Sequence, residues 1–225
     1  VVAADRSVFS PDGDGRRDSI RINQWTTEEN EWTAFIESPG GDVIRRFRWS
    51  GQADEVRWDG TDGQGERVPD GTYRYSIRSV DEAENHAPPA TVQVRVDTRP
   101  TPVRIQVRSR RFSPNGDGLS DTVEVALDPT IRDGIQSWSL EVVDSRGETR
   151  GMIATGTDVV PPTVAWSGAV SDVSVDAGDR QNVLEDGTYR LQFVVAYEKG
   201  NVATGESRSV EIDTTPPEAV ISVAP

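Results

Sequence analysis

A short acidic loop that occurs twice holds the residues best suited to chemistry. In each copy, oxygen-bearing side chains occupy alternate positions and are followed by a glycine and a further carboxylate. Alternate side chains of a tight turn converge on one point, and Ca²⁺ takes such oxygen ligands together with a backbone carbonyl. The sequence therefore predicts two calcium sites. Their ligands would be Ser10, Asp12, Asp14, Asp18 and the carbonyl of Arg16 in the first loop, and Ser113, Asn115, Asp117, Asp121 and the carbonyl of Leu119 in the second.

The same loops are also consistent with metal-free turns. Asp and Asn side chains can accept hydrogen bonds from nearby backbone N–H groups, which fixes a turn without an ion. Serine also stands where calcium loops of the thrombospondin and dockerin type, which these loops resemble, usually begin with aspartate. The first loop has three carboxylates and the second two, so calcium is expected to bind the first loop more tightly.

Other reactive groups are scarce. The only histidine is His86, cysteine is absent, and no Gly-x-Ser-x-Gly motif occurs. Nucleophilic catalysis and zinc binding depend on such residues, so the sequence predicts a protein that is not an enzyme. The net charge of −14 argues against a nucleic-acid partner, because phosphate binding needs a basic surface. No apolar run is long enough to span a bilayer, and no membrane insertion is expected.

The six tryptophans offer a rival function. Trp25, Trp32 and Trp49 lie in or beside predicted strands of the first half, and a row of exposed rings on a sheet would stack sugars. Trp58 and Trp166 occupy equivalent positions and are expected in the core, where aromatic rings contribute most. On that interpretation the remaining rings also pack between sheets.

Three motifs recur in the same order and divide the chain into two repeats. Residues 9–15 return as 112–118, residues 70–74 as 186–190, and residues 94–98 as 210–214. The spacing is longer in the second repeat, which predicts insertions. We expect these insertions around residues 151–162 and 171–182, where the sequence is rich in turn formers and weakly periodic.

Each repeat contains about seven short runs of alternating apolar and polar residues, separated by turns that contain Gly or Pro. Such a pattern over about 100 residues is typical of a β-sandwich. The sequence predicts an all-β protein with two tandem immunoglobulin-like (fibronectin-like) β-sandwich domains. The first repeat spans 1–98, a proline-bearing linker spans 99–102, the second repeat spans 103–215, and a truncated third repeat begins over 216–225.

Two motifs carry a resemblance to known families. Residues 58–73, Trp-Asp-Gly-Thr-Asp-Gly-Gln-Gly-Glu-Arg-Val-Pro-Asp-Gly-Thr-Tyr, resemble the immunoglobulin-like domain of the bacterial flagellar hook-capping protein. The motif Phe-Ser-Pro-(Asp/Asn)-Gly-Asp-Gly-x-x-Asp resembles the opening of C-terminal modules in gliding-motility-associated and other secreted proteins. The resemblance implies an immunoglobulin-like fold. The second repeat departs from the pattern, because Trp166-Ser167-Gly168 replaces Trp-Asp-Gly.

Most of these motif residues have a conformational explanation. The Asp-Gly pairs at 59–60, 62–63, 70–71 and 186–187 predict turns in which the glycine adopts a positive φ angle. Tyr73 resembles a corner tyrosine, whose hydroxyl fixes the neighbouring loop. These residues are therefore expected to shape the fold and not to bind a ligand.

The sequence predicts non-catalytic spacer and interaction modules of a larger exported bacterial protein, at the cell surface, outside the cell or in the periplasm. One alternative is a carbohydrate-binding accessory region of a secreted hydrolase, and another is the ligand-binding part of a surface adhesin. The expected partners are neighbouring repeats of the same chain and a protein or glycan ligand, and the expected state is a monomer.

Overall fold

The computed structural model describes residues 1–80, 88–171 and 181–217, and every regular element in them is a β-strand. The chain divides into two compact units. The first comprises Val1–Pro100 with Glu198–Asn201, and the second comprises Thr101–Tyr197 with Val202–Pro225. The division after Pro100 falls inside the predicted linker. The start of a third repeat stays a prediction, since residues 218–225 lie outside the described part of the chain.

The first unit is built from two sheets. Its strands are β1 (Val2–Ala4), β2 (Val8–Phe9), β3 (Ile20–Gln24), β4 (Glu29–Glu37), β5 (Val43–Gly51), β6 (Val56–Trp58), β7 (Gly71–Ser79) and β8 (Ala90–Val96). One sheet has the order β1-β3-β6 and the other the order β2-β8-β7-β4-β5. The seven predicted strands are present. The two-residue β2, which pairs in parallel with β8, is too short for periodicity to reveal it.

Alternation along the strands places one face of each sheet in the core. In β7, Tyr73, Tyr75 and Ile77 are buried, whereas Arg74 and Arg78 are exposed, as a period of two requires. Side chains of both sheets meet in one apolar cluster. Its largest members are Phe9, Ile20, Ile22, Ile36, Trp58, Tyr73, Tyr75 and Ile77.

The second unit repeats this plan with additional strands. Its strands are β9 (Val103–Val107), β10 (Arg111–Phe112), β11 (Val123–Pro129), β12 (Ile135–Val143), β13 (Thr149–Gly156), β14 (Thr163–Trp166), β15 (Ala169–Ser171), β16 (Gln181–Val183), β17 (Gly187–Tyr197), β18 (Val202–Glu206) and β19 (Val210–Ile212). The smaller sheet has the order β14-β11-β9. The larger has the order β10-β19-β17-β12-β13-β15-β16, with β18 also paired to β17. The predicted all-β fold of two tandem sandwiches is confirmed.

The sequence predicts one final strand over 207–213 in the second unit. The structure has two strands there, β18 and β19, which residues 207–209 separate. The Ser207 hydroxyl oxygen accepts a hydrogen bond from the Leu191 N–H at 2.9 Å and so takes the place of a backbone carbonyl in the ladder. The predicted insertion over 171–182 is bounded by β15 and β16, which pair with each other and extend the sheet. Residues 172–180 lie outside the described chain.

Within the described ranges no helix is present, and thus none that is long and apolar enough to cross a membrane.

Candidate functional site

The first acidic loop follows β2 and is organised by Asp18. The two carboxylate oxygens of Asp18 accept hydrogen bonds from the N–H groups of Gly13, at 2.7 Å, and Gly15, at 2.8 Å. Both glycines have positive φ angles, 86° and 83°, and this conformation turns their N–H groups towards one carboxylate at little steric cost. The loop is thereby closed by its own side chain.

The carboxylates of this loop converge. Asp12, Asp14 and Asp18 each offer an oxygen, and these oxygens lie within 4.8 Å of one another. Asp12 also accepts the N–H of Asp14 at 3.2 Å, and Asp14 accepts the N–H of Arg16 at 2.7 Å. The buried Ser10 donates its hydroxyl to Asp12 at 3.0 Å. The residues fit one divalent cation through three carboxylates, while their hydrogen bonds also hold the turn together.

The second loop has the same backbone pattern with a different centre. Asp121 accepts the N–H groups of Gly116 and Gly118, each at 2.8 Å. Asn115 stands where the first loop has Asp12, and its side-chain N–H donates to Asp117 at 3.1 Å. Ser113 is only half-buried, unlike Ser10. With two carboxylates where the first loop has three, this loop fits a cation less well.

The Asp-Gly pairs are turns only in part. Gly60 has the predicted positive φ angle, 74°, and Gly63 lies in a turn without one, so the turn at 62–63 is confirmed but its φ angle is not. The turn prediction is wrong for Gly71 and Gly187. Gly71 and Gly187 begin strands β7 and β17. At Gly71 a Cβ atom would lie 2.9 Å from Pro39 Cγ, so glycine is required there by close packing.

The aspartates of two Asp-Gly pairs clasp the ends of neighbouring strands. Asp70 accepts both the N–H and the hydroxyl of Thr98 at 2.8 Å. Asp186 accepts the same two groups of Thr214, at 2.9 and 2.7 Å, and also the hydroxyl of Thr215. Hydrogen bonds from the Thr214 hydroxyl, the Thr214 N–H and the Thr215 hydroxyl lower the pKa of Asp186 below its ordinary value of 3.8. Two of the recurring motifs are thus each other's partners.

The corner tyrosines fix the segments that precede them. The Tyr73 hydroxyl donates to the Pro69 carbonyl at 2.7 Å, and the Tyr189 hydroxyl donates to the Glu185 carbonyl at 2.9 Å. Burial raises the pKa of both hydroxyls. The role predicted for Tyr73 is confirmed, and Tyr189 repeats it.

The tryptophans do not form an exposed row. Trp58 and Trp166 are buried in the two cores, as predicted. Trp32 and Trp49 pack against the core of the first unit, and of the proposed row only Trp25 is largely exposed, at 62%. The arrangement predicted for stacking sugars is therefore absent. His86 lies outside the described residues.

A second feature, which the sequence analysis missed, is the outer face of the five-stranded sheet. Five arginines of β5, β7 and β8 are exposed on it, and all of them except Arg95, which pairs with Thr72 at the end of β7, lie near Phe35 of β4. We call these residues the basic face. The members of the basic face are Phe35, Arg46, Arg48, Arg74, Arg78 and Arg95. The sequence signal was arginine on one side of each strand, at 46 and 48 and again at 74 and 78. Only the sheet order shows that these two strands flank β4, which carries Phe35.

The family comparison concerns the first unit. Residues 12–83 match the family model of the FlgD Ig-like domain. This range contains the three carboxylates of the first acidic loop and the segment over 58–73, and the resemblance predicted from that segment is confirmed. The chain consists of tandem immunoglobulin-like repeats, the first of which carries this pattern. None of the curated proteins compared with the chain matches it.

Several solved structures are similar to the chain at low identity. Fibronectin(III)-like modules of CbhA from Clostridium thermocellum share 11% identity and a TM-score of 0.47, over 99% of this chain and 100% of that one. A tetra-tandem repeat from the extending region of a large adhesion protein shares 16% identity and a TM-score of 0.41, over 95% and 50%. A 1.5-MDa bacterial ice-binding adhesin shares 14% identity and a TM-score of 0.42, over 94% and 64%. The fold rests on the strand topology described above.

Proposed function

We propose that the chain forms non-catalytic structural and interaction modules of a larger exported bacterial protein. The observation that carries this proposal is that the recurring motif residues are engaged in holding the fold. Asp70 and Asp186 clasp strand ends, Tyr73 and Tyr189 fix corners, and Trp166, like Trp58, fills a core. The chain has no cysteine, and the described residues contain no histidine that could act as the base of a nucleophile–base pair.

A ligand-binding role is favoured over a pure spacer role by the basic face. A purely structural role does not require five exposed arginines on one sheet face of a chain whose net charge is −14. Among the two binding alternatives, an adhesin unit and an accessory region of a secreted hydrolase, the structure offers no stacked tryptophan row for neutral sugars. Binding is therefore expected to depend on charge.

The experiment replaces the segment inside the full-length protein. Substituting two unrelated fibronectin-type domains for residues 1–215 preserves length and should preserve export, which fractionation of the producing cells would show. We expect attachment or ligand retention at the cell surface to be lost. Full function after the replacement would reduce the role to that of a spacer, and recovery of the native protein from the cytoplasm would contradict the proposal.

We further propose that calcium stabilises the first unit through Asp12, Asp14 and Asp18. The three converging carboxylates support a site there, and the second loop, with one carboxylate fewer, offers a weaker site. At tenfold excess over its dissociation constant, calcium would stabilise the unit by about 1.4 kcal/mol. This corresponds to a rise in melting temperature of several degrees for a domain of about 100 residues.

The test is a thermal melt in millimolar calcium and in chelator, with Asp14→Asn and Asp117→Asn as the matched pair. The shift should disappear in Asp14→Asn and persist in Asp117→Asn. Equal melting of the unsubstituted chain in calcium and in chelator would leave the loops as hydrogen-bonded turns.

A further inference from the structure

The basic face has a distinct charge pattern within an acidic chain. Its residues are neighbours by register: Thr33 lies between Arg48 and Arg78, and Phe35 lies between Arg46 and Ser76. Residues directly paired across strands project from the same side of the sheet. Arginines of β5 and β7 therefore stand on either side of β4, separated by two strand spacings, or about 9–10 Å.

Some of these arginines already have partners. Arg74 pairs with Glu37 at 2.7 Å, and Arg95 pairs with the buried Asp97 at 3.1 Å. Glu31, the other carboxylate near the face, accepts the Thr33 hydroxyl at 3.0 Å.

The other three have none within residues 1–80, 88–171 and 181–217, where no carboxylate pairs with Arg46, Arg48 or Arg78. Glu31 lines the same depression as these three arginines, but no described carboxylate is close enough to form an ion pair with them.

Two of these three arginines, Arg46 and Arg78, contact the ring of Phe35. The guanidinium carbons of Arg46 and Arg78 lie 5.2 and 5.1 Å from the centre of the Phe35 ring. At this distance a guanidinium is attracted to the ring face, and its planar fork of N–H donors remains open to solvent. A pair of arginines oriented in this way loses less side-chain freedom when it binds an anion.

The shape of the face suits an elongated ligand. Two shallow depressions, of about 400 and 340 Å³, share Phe35, Arg46 and Arg78. Their remaining lining includes hydroxyl groups of Thr33, Ser76 and Thr91. The site thus offers guanidinium forks for acidic groups and hydroxyls for polar ones along one sheet.

We propose that the basic face binds an anionic polysaccharide through its carboxylate or sulfate groups. The proposal rests on the interaction role proposed above and names the ligand class. A polysaccharide with repeated acidic groups matches repeated arginine forks, which bind carboxylates and sulfates bidentately. A protein partner is disfavoured, because protein interfaces are anchored by exposed aromatic groups. Here the one aromatic ring, Phe35, lies beneath guanidiniums, and the exposed Val43 and Val80 stand at opposite ends of the face.

The test measures binding by the full chain in a chelator-containing buffer, which separates the face from any calcium effect. The probes are polygalacturonate for carboxylates, dextran sulfate for sulfates, and neutral dextran as a blank. We expect binding to at least one anionic probe and none to dextran. Affinity should fall several-fold between low and physiological salt, because exposed charges are screened.

Two matched double variants locate the site. Arg46→Gln with Arg78→Gln removes two charges from the basic face, and Arg104→Gln with Arg110→Gln removes two exposed charges from the second unit. The first should weaken binding at least about tenfold, since charge-assisted hydrogen bonds are lost. The second should change it by less than about twofold. Melting curves would confirm that both variants are folded.

Three results would overturn the proposal. One is that neither anionic probe binds. Another is that the two double variants weaken binding equally, which would show only a response to net charge. The last is that poly-L-glutamate binds more tightly than either polysaccharide through the same arginines, which would point to an acidic protein partner. Each of these leaves the replacement experiment on the whole segment unaffected, so the two proposals fail separately.

Discussion

The two units share their internal framework and differ on their outer sheet faces. Equivalent core registers, Ala34 opposite Ile77 and Leu140 opposite Phe193, align the exposed positions between them. Three comparisons follow from this alignment: Phe35 corresponds to Glu141, Arg78 to Val194, and Arg48 to Thr155. The residues of the recurring motifs are those that the shared fold requires. The two units differ in charge at outward-facing strand positions that do not belong to these motifs.

The largest effect is expected from removing the largest buried side chain in the core of the first unit, Trp58. Trp58→Ala should destabilise the first unit by about 3–5 kcal/mol, because a fully buried tryptophan leaves a cavity that the sandwich cannot refill. Its indole N–H also bonds the Thr61 carbonyl at 2.8 Å. Calorimetry of the whole chain should show the transition of one unit lowered.

The control for this substitution is Trp25→Ala, at an exposed ring. It should change stability by no more than about 0.5 kcal/mol. Equal losses from Trp58→Ala and Trp25→Ala would contradict the assignment of Trp58 to the core.

The corner tyrosines allow the same substitution to be compared in both units, with a smaller expected loss of stability. Tyr73→Phe and Tyr189→Phe each remove one hydroxyl that bonds a backbone carbonyl, and a loss of about 0.5–1.5 kcal/mol is expected for each. Tyr73 is 2% exposed and Tyr189 is half-buried. The Pro69 carbonyl, which loses its partner in Tyr73→Phe, is therefore less accessible to water than the Glu185 carbonyl. Urea unfolding should show the larger loss of stability for Tyr73→Phe. The reverse order would mean that the corners are not equivalent.

How far the sequence could predict these features depends on whether a feature is local. Period-two burial in β7 and the equivalence of Trp58 and Trp166 could be read from single segments, and both are correct. The break at Ser207 could not, because it depends on a hydrogen bond to Leu191 in another strand. Gly71 was wrongly predicted to lie in a turn. The glycine is required there by its close approach to Pro39, which is a tertiary contact and cannot be predicted from the local sequence.

The candidate sites divide in the same way. The acidic loops lie within ten residues of chain, so their carboxylates could be predicted to converge, and in the first loop they do. The basic face consists of residues from four strands, and it could not be predicted without the strand order β8-β7-β4-β5. Only that order places Arg46 and Arg78 on either side of Phe35.

The smallest expected effect concerns the clasp of the second unit. Because its hydrogen bonds lower the pKa of Asp186 in the folded state, the charged carboxylate contributes stability that is fully present above the ordinary value of 3.8. That contribution is lost as the pH falls through the lower folded-state pKa. Asp186→Asn should therefore lower the melting temperature slightly at pH 7, and the difference should vanish towards pH 2.

The matched control for the clasp is Asp158→Asn, at an exposed position of the same unit. It should show no such convergence in melting curves recorded between pH 2 and 7. A constant difference between Asp186→Asn and the unsubstituted chain over this range would contradict a role for the carboxylate charge.

The central claim is that one unit carries the ligand-binding face while the other supplies the same scaffold without it. Amide and arginine side-chain NMR spectra of the whole chain, titrated with oligogalacturonates in chelator, test this most directly. The account predicts shifts at Thr33, Phe35 and the Nε–H groups of Arg46 and Arg78, with Ser139 and Glu141 of the second unit unmoved. Equal shifts on both faces, or shifts confined to the second unit, would contradict it.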